Sequence, residues 1–115
     1  MDISLKHFST EEEAISEIKA AGFWPMTIEL RPKKSDTHWH DFDSMVYVLN
    51  GEITLTEAET GETCVCGPGT RITAKAGVLH REEHGEFRAV LGTSVDPATL
   101  TQPIDKPPGL QENPV

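Results

Sequence analysis

The chain has 115 residues, enough for one small domain with a hydrophobic core of its own. Ten basic residues stand against nineteen acidic ones, giving a formal net charge of -9. Because a charge of this sign is repelled by a phosphate backbone and by an anionic membrane surface, we expect neither nucleic acid nor membranes as partners.

The first regular element predicted along the chain is a helix at about residues 10–21. Thr10, or the serine before it, can cap this helix, and a glutamate follows three residues later as in a capping box. Apolar side chains fall on one face of the helix, and Gly22 follows as a stop signal. A single amphipathic helix of this length predicts an accessory that packs on a larger framework.

From residue 23 to residue 94 the sequence changes to short apolar alternations broken by Gly, Pro, Asn and Asp. This pattern is typical of an all-β sandwich or barrel. The predicted strands are MTIELR, SMVYVL, EITLT, TCVC, TRITA and FRAVLGTS. Asn50 and Gly51 predict a tight hairpin between the second and third of these, because both central positions of such a turn need positive φ.

The end of the chain is rich in proline. Five of the eight prolines lie between residues 96 and 115, so this segment cannot supply a central strand. It is either loose or laid across the domain or across a neighbouring subunit. We therefore divide the chain into one domain, residues 1–95, and a C-terminal tail, residues 96–115.

The sequence also bears on the cellular compartment. No segment approaches the ~20 apolar residues that cross a bilayer, and we expect a cytoplasmic protein. The two cysteines, Cys64 and Cys66, share one strand face, where a disulfide is geometrically poor. We expect reduced, buried thiols; a sulfur ligand or a redox pair would require proximity to the histidines.

The segment THWHDF carries two histidines one residue apart. If it is extended, His38 and His40 project to one face and Trp39 to the other. Two imidazoles held side by side on a strand can bind one divalent metal ion. In a chain with five histidines this spacing alone is a weak signal, and a pair without a metal role explains it equally well.

A third histidine follows a regular pattern of glycines. In GTRITAKAGVLH, five residues separate Gly69 from a three-residue turn that ends at Gly77, and two more residues lead to His80. Together with HWH and the strand that ends at Gly51, this arrangement resembles the two sequence motifs of the cupin superfamily. Lys75 stands where these proteins usually have a proline, and the resemblance covers about residues 30–91.

The resemblance implies an all-β fold, a cupin-type antiparallel β-barrel or jelly roll with one short N-terminal helix. It implies that His38, His40 and His80 converge as ligands of a divalent metal ion (Fe, Zn, Ni or Mn). Open positions on such an ion would accept a small-molecule ligand or substrate. The resemblance also implies a homodimer, because such barrels often pair through their N-terminal strands.

The glutamate that usually follows the histidine pair in cupins is missing here. Its place falls on Ser44, a weak donor, and Asp43 beside it could ligate if a bulge shifted the strand by one residue. Glu82 has the strand parity of His80 and could reach the metal if the chain is extended there; otherwise it belongs to a solvated rim. His84 is expected at the rim or in the pocket rather than as a fourth ligand.

Three neutral ligands would leave a divalent ion its full double charge, which favours an anionic, chelating substrate. Cupin-type thiol dioxygenases and diketone-cleaving dioxygenases have such three-histidine iron sites, so dioxygenase-like chemistry is the leading hypothesis for iron. An isomerase or a hydrolase is expected with Zn, Ni or Mn. The candidates for a catalytic base are Tyr47, Glu82 and His84. The alternative is a non-catalytic barrel that binds or senses a small molecule.

Overall fold

A computed structural model describes residues 1–100 and 103–109, and within them the chain forms nine strands, one α-helix and one 3₁₀-helix. In chain order these are β1 (Asp2–Ser4), α1 (Glu11–Ala20), β2 (Trp24–Leu30), β3 (Lys33–Lys34), β4 (Ser44–Asn50), β5 (Ile53–Glu57), β6 (Thr63–Cys66), β7 (Arg71–Ala74), β8 (His80–His84), β9 (Phe87–Thr93) and the 3₁₀-helix (Pro97–Thr99). No helix in these ranges has both the length and the apolar character that a bilayer crossing requires.

The strands form two antiparallel sheets that enclose the main core. The five-stranded sheet has the order β1-β7-β4-β9-β2, and the four-stranded sheet has the order β3-β8-β5-β6. The buried core between the two sheets consists of Val48, Ile53, Leu55, Cys66, Ile72, Phe87 and Ala89. Together with the short N-terminal helix, this architecture confirms the predicted fold class.

Helix α1 covers the other face of the five-stranded sheet. It packs there through a second buried cluster, which consists of Phe8, Ala14, Ile18, Met45, Tyr47 and Val90. The hydroxyl of Thr10 accepts the backbone N–H of Glu13 at 3.1 Å, so the helix begins with the predicted cap. Gly92 in β9 makes the close approach possible, because a Cβ atom there would lie 2.8 Å from the side chain of Ile18.

The predicted hairpin at Asn50 and Gly51 is wrong. β4 belongs to the five-stranded sheet and β5 to the four-stranded sheet, so this turn carries the chain from one layer to the other. Gly51 has a φ of 82°, whereas Asn50 does not have the positive φ that the predicted turn requires. Gly51 is needed for close packing as well, because a Cβ atom there would collide with the carbonyl oxygen of Glu86.

Residues 103–109 of the proline-rich tail lie across the segment that precedes β4. Lys106 and Trp39 form an antiparallel bridge, with N–H to carbonyl distances of 3.1 and 2.9 Å. The indole N–H of Trp39 also donates to the carbonyl of Pro107 at 2.9 Å. This part of the tail is therefore laid across the domain, which is one of the predicted arrangements; residues 101–102 and 110–115 lie outside the described residues.

Candidate metal centre

Three histidines meet where the segment before β4 pairs with the start of β8. His38 and His80 exchange two backbone hydrogen bonds, at 2.8 and 2.9 Å, and the N–H of Gly77 donates to the carbonyl of His40 at 2.9 Å. The two histidine-bearing motifs are therefore joined directly by their main chains. One ring nitrogen from each of His38, His40 and His80 lies within 4.8 Å of the other two.

Backbone carbonyls orient all three imidazoles. The Nδ1 atoms of His38, His80 and His40 lie 2.7, 2.9 and 3.0 Å from the carbonyl oxygens of Asp36, Val78 and Ile104. Because a carbonyl oxygen can only accept a hydrogen bond, each Nδ1 carries the proton and each Nε2 keeps a lone pair. Metal-binding histidines are usually held in this way by a partner on the second nitrogen.

The Nε2 atom of His38 has no hydrogen-bond partner although it is buried. Leaving such a nitrogen unsatisfied costs about 1–3 kcal/mol. A metal ion bound by this nitrogen and by the other two imidazoles would satisfy it. The centroids of the three histidine rings lie 4.4 to 5.0 Å apart in the three possible pairs. Three imidazole donors suit Zn, Cu, Fe and Ni, so the residues present fit a divalent ion.

The electrostatic surroundings favour the neutral form of His80. Burial is the largest effect and lowers the pKa of His80. The hydrogen bond to the Val78 carbonyl raises this pKa, whereas the charges of His38 and His40 lower it further. A neutral imidazole is the form that binds a metal, because protonation removes the lone pair. The site therefore disfavours three positively charged histidines and leaves His80 available as a donor.

Asp43, beside the place of the missing glutamate, has a contact elsewhere. The carboxylate of Asp43 accepts the backbone N–H of Ala76 at 2.8 Å and so braces the loop that leads to His80. β4 pairs regularly with β9 from Ser44 onward, and the irregularity comes later, between Val48 and Asn50. The bulge that would turn Asp43 toward the histidines is therefore not formed, and Asp43 lies outside the group of candidate ligand atoms.

Strand β8 carries three polar residues on its inner face. His80 and His84 are buried and Glu82 is half-buried, whereas the residues between them are exposed. The chain is extended here, as a role for Glu82 requires, but its carboxylate lies outside the group of ligand atoms. Its charge nevertheless raises the pKa of His80, in opposition to burial.

His84 lies in the interior, two residues beyond Glu82 on the same strand. Its Nδ1 donates to the carbonyl of Gly85 at 2.7 Å, and its ring packs against Phe87 with centroids 5.2 Å apart. The Nε2 atom is buried and has no hydrogen-bond partner. His84 is therefore a polar group of the interior and is not one of the three clustered histidines.

Tyr47 lies on the wrong face of β4 for a catalytic base at the histidines. It is buried in the cluster beneath α1, and its hydroxyl donates to the carboxylate of Glu17 at 2.9 Å. Burial, together with this hydrogen bond, raises the pKa of Tyr47 to about 12. Strand alternation explains the difference from the prediction, because Val48 faces the core between the sheets and Tyr47 therefore faces the helix.

The two cysteines lie on β6, at the edge of the four-stranded sheet, and outside the histidine cluster. Both are free thiols, with sulfur atoms 3.8 Å apart. Cys66 is buried and Cys64 is half-buried, and burial raises the pKa of Cys66 to about 12. A thiol with this pKa is protonated near neutral pH and is a poor nucleophile.

The tail brings a carboxylate that the sequence analysis missed. An oxygen of Asp105 lies 3.7 Å from Nε2 of His38 and 3.7 Å from Nδ1 of His40. Its other oxygen lies 3.4 Å from the ammonium group of Lys33. The only signal in the sequence was an acidic residue among prolines, and nothing local to it indicates where the tail docks.

Comparisons with known proteins identify the fold. No family model matches the sequence, and no curated protein matches it. Among solved structures, the polyketide cyclase RemF from Streptomyces resistomycificus is similar over 65% of this chain, at 25% identity and with a TM-score of 0.53. The match spans 56% of the cyclase, so the chain corresponds to little more than half of that protein.

Two further structures match a larger share of their own chains. A DUF861 family protein from Thermotoga maritima matches over 80% of this chain and 97% of its own, at 18% identity and with a TM-score of 0.58. A cupin superfamily protein from Desulfitobacterium hafniense matches over 64% of this chain and 79% of its own, at 14% identity and with a TM-score of 0.51. The protein therefore has the fold of the cupin superfamily, as its two motifs predicted.

Proposed function

We propose that this protein is a metal-dependent enzyme whose His38, His40 and His80 bind one divalent ion, and whose substrate is a small anionic molecule that chelates this ion. The observation that carries the proposal is the buried Nε2 atom of His38, which lacks a partner and belongs to a group of three ring nitrogens within 4.8 Å. Three imidazoles this close would repel one another if they became charged together, whereas a bound ion uses all three as neutral donors.

The contribution of the chain is to hold three neutral donors in fixed orientations. The carbonyls of Asp36, Val78 and Ile104 set the direction of each ring, and the backbone bonds between His38 and His80 fix the separation of the two motifs. A divalent ion held here supplies Lewis acidity and, if it is iron, redox chemistry with dioxygen. The buried surroundings of His38 and His80 limit the access of water.

The class of reaction depends on the ion. With iron we propose a dioxygenase-like reaction on a chelating substrate, and with Zn, Ni or Mn an isomerisation or a hydrolysis. Glu82 is our first candidate for the base, because it lies on the inner face of β8 beside His80, and His84 on the same face is the second. Tyr47 is no longer a candidate, because its hydroxyl binds Glu17 on the helix side of the sheet.

Two other functions would use the same histidine cluster. Because the chain is similar to a polyketide cyclase at 25% identity, we include the cyclisation of polyketides among the reactions to be tested. A barrel that binds or senses a small molecule would use the same three histidines without turnover. Metal content alone does not separate an enzyme from a sensor, so turnover assays follow the metal analysis.

The experiment is elemental analysis of tag-free protein that has been purified anaerobically without chelators. The wild type is compared with His40→Ala and with His7→Ala, whose histidine is hydrogen-bonded to Glu17 on the helix side. We expect close to one ion per chain in the wild type and in His7→Ala, and its loss in His40→Ala. Iron would direct the assays to oxygen consumption with thiols and diketones, and Zn, Ni or Mn to isomerase and hydrolase substrates.

Equal metal content in the wild type and in a folded His40→Ala variant would rule out the ligand assignment. Circular dichroism of all three proteins shows whether the substitutions preserve the fold. A wild type that stays free of metal after reconstitution with each of the four ions would leave the metal-free binding barrel as the better account.

A further inference from the structure

The C-terminal tail places an acidic residue beside the histidine cluster. On one side of Asp105, the carbonyl of Ile104 accepts the Nδ1 proton of His40 at 3.0 Å. On the other side, Lys106 forms the backbone bridge with Trp39. The main chain on both sides of Asp105 is therefore attached to the same short segment that carries two of the three histidines.

The side chain of Asp105 is oriented by a cation. One carboxylate oxygen lies 3.4 Å from Nζ of Lys33, and the other lies 3.7 Å from Nε2 of His38. The second distance exceeds that of a hydrogen bond, so Nε2 of His38 remains without a partner. Asp105 is outside the group whose ligand atoms all lie within 4.8 Å of one another, but the same oxygen that approaches His38 also lies 3.7 Å from Nδ1 of His40. Asp105 thus flanks the group on the side of His38 and His40.

We propose that Asp105 is a fourth, acidic ligand of the metal ion, supplied by the C-terminal tail in place of the glutamate that the first motif lacks. The inference rests on the proposed function, because it presupposes an ion at the three histidines. Neither Ser44 nor Asp43 can take this role, since serine is a weak donor and the carboxylate of Asp43 is bound to the backbone of Ala76. Carboxylates are common ligands beside imidazoles at divalent ions.

Two consequences distinguish a ligand from a nearby ion pair. A bound carboxylate lowers the net charge of the ion and its ligands from two to one, and it changes the number and type of donor atoms. It also couples metal binding to docking of the tail, because the same residue takes part in both. An outer ion pair with a histidine would leave the donor set unchanged.

The test uses Co(II) as a probe, because its visible absorption reports the coordination number and the donor type. Co(II) is titrated into metal-free wild type, Asp105→Asn and Asp41→Asn, and Zn(II) affinity is measured by competition with a chromophoric chelator. Asp41 is the matched control, because its carboxylate lies 3.7 Å from Nζ of Lys106 and so forms a separate ion pair with the tail. His40→Ala is titrated in parallel.

We expect Asp105→Asn to weaken Co(II) and Zn(II) binding by about 10–100-fold or more. A loss of this size follows the substitution of residues that support metal ligands, and loss of a ligand should cost at least as much. Its Co(II) spectrum should change as well. Asp41→Asn should stay within about fivefold of the wild type, with the same spectrum, because exposed ion pairs are weak.

Each of the other outcomes overturns the inference. Unchanged affinity and spectrum in Asp105→Asn would show that the carboxylate is not a ligand, and weaker binding with an unchanged spectrum would reduce its role to an electrostatic one. An equal loss in Asp41→Asn would assign the effect to tail docking. In these three cases the proposed function stands, provided that His40→Ala loses the ion. A wild type that binds neither Co(II) nor Zn(II) removes both proposals.

Discussion

Glu17 is the centre of a polar network on the helix side of the protein. One of its carboxylate oxygens accepts from Nε2 of His7 at 2.7 Å and from the hydroxyl of Tyr47 at 2.9 Å, and it lies 4.0 Å from Arg71. The hydrogen bond from His7, followed by that from Tyr47, lowers the pKa of Glu17, in opposition to its partial burial. The network joins α1 to strands β4 and β7, away from the histidine cluster.

This lowered pKa makes stability depend on pH. A carboxyl group whose pKa is lower in the folded chain contributes stability above its unfolded pKa, and this contribution is lost as the pH falls through the folded pKa. We therefore expect the free energy of unfolding to fall as the pH drops below 4.5, the ordinary value for glutamate. Glu17→Gln should reduce this acid slope, measured by urea unfolding between pH 3 and pH 7.

Glu12→Gln is the matched control, because Glu12 is exposed on the same helix. The control should keep the slope of the wild type. Glu11 also has a lowered pKa, chiefly through its hydrogen bonds to Thr27 and Arg88, so part of the slope should remain in Glu17→Gln. Parallel curves for the wild type and Glu17→Gln would contradict this account.

At the residue scale, the sequence predicted what depends on local spacing. Strand parity predicted that His38 and His40 share a face, whereas their meeting with His80 was implied by the cupin resemblance and depends on the long-range bridge between His38 and His80. Strand parity could not decide whether Tyr47 faces the histidines, because parity says only that neighbouring residues face opposite ways, and which face the helix covers is decided by long-range packing. Asp105 escaped prediction for a similar reason, since the docking of the tail depends on Trp39 and Asp41, far away in sequence.

At the scale of elements, α1 stabilises the five-stranded sheet by burying its outer face. Ile18 is completely buried and lies against Gly92 of β9. Ile18→Ala should lower the free energy of unfolding by about 2–5 kcal/mol, because it removes buried methylene groups and leaves a cavity. Urea denaturation measures this change, and Ser16→Ala, exposed on the same helix, should stay within about 0.5 kcal/mol of the wild type. Equal effects of the two substitutions would mean that the helix does not pack as described.

The turn between β4 and β5 shows where element prediction fails. Alternating apolar residues and the Asn-Gly pair identified two strands and a turn, and all three exist. The partner of each strand was wrong, because β4 pairs with β7 and β9 while β5 pairs with β6 and β8. Which strands pair depends on which of their side chains are buried on each face of the two sheets. A two-residue turn motif contains no information about the second sheet.

At the scale of the whole molecule, the tail closes the domain over Trp39. Trp39 is 5% exposed beneath it, whereas Trp24, the other tryptophan, is 44% exposed. In a Trp24→Phe background, Trp39 is therefore the sole fluorescence reporter of tail docking. Truncation after Leu100 should shift its emission to longer wavelength, because the indole loses the Pro107 carbonyl and meets water.

Circular dichroism of the truncated protein should retain the β signal, because the two sheets do not include the removed residues. An unshifted emission in a folded, truncated protein would mean that the tail does not cover Trp39. The alternation of apolar residues predicted an all-β sandwich or barrel, whereas its division into two sheets and the position of the tail came only from the three-dimensional contacts.

The central claim is that a single ion binds at the three clustered histidines. The most direct measurement is an anomalous difference map from crystals of the protein grown with Zn(II), with data collected on both sides of the zinc absorption edge. The account predicts one dominant peak per chain, in contact with Nε2 of His38, His40 and His80. A map without a peak there, or with its main peak at His84 or the cysteines, would contradict it.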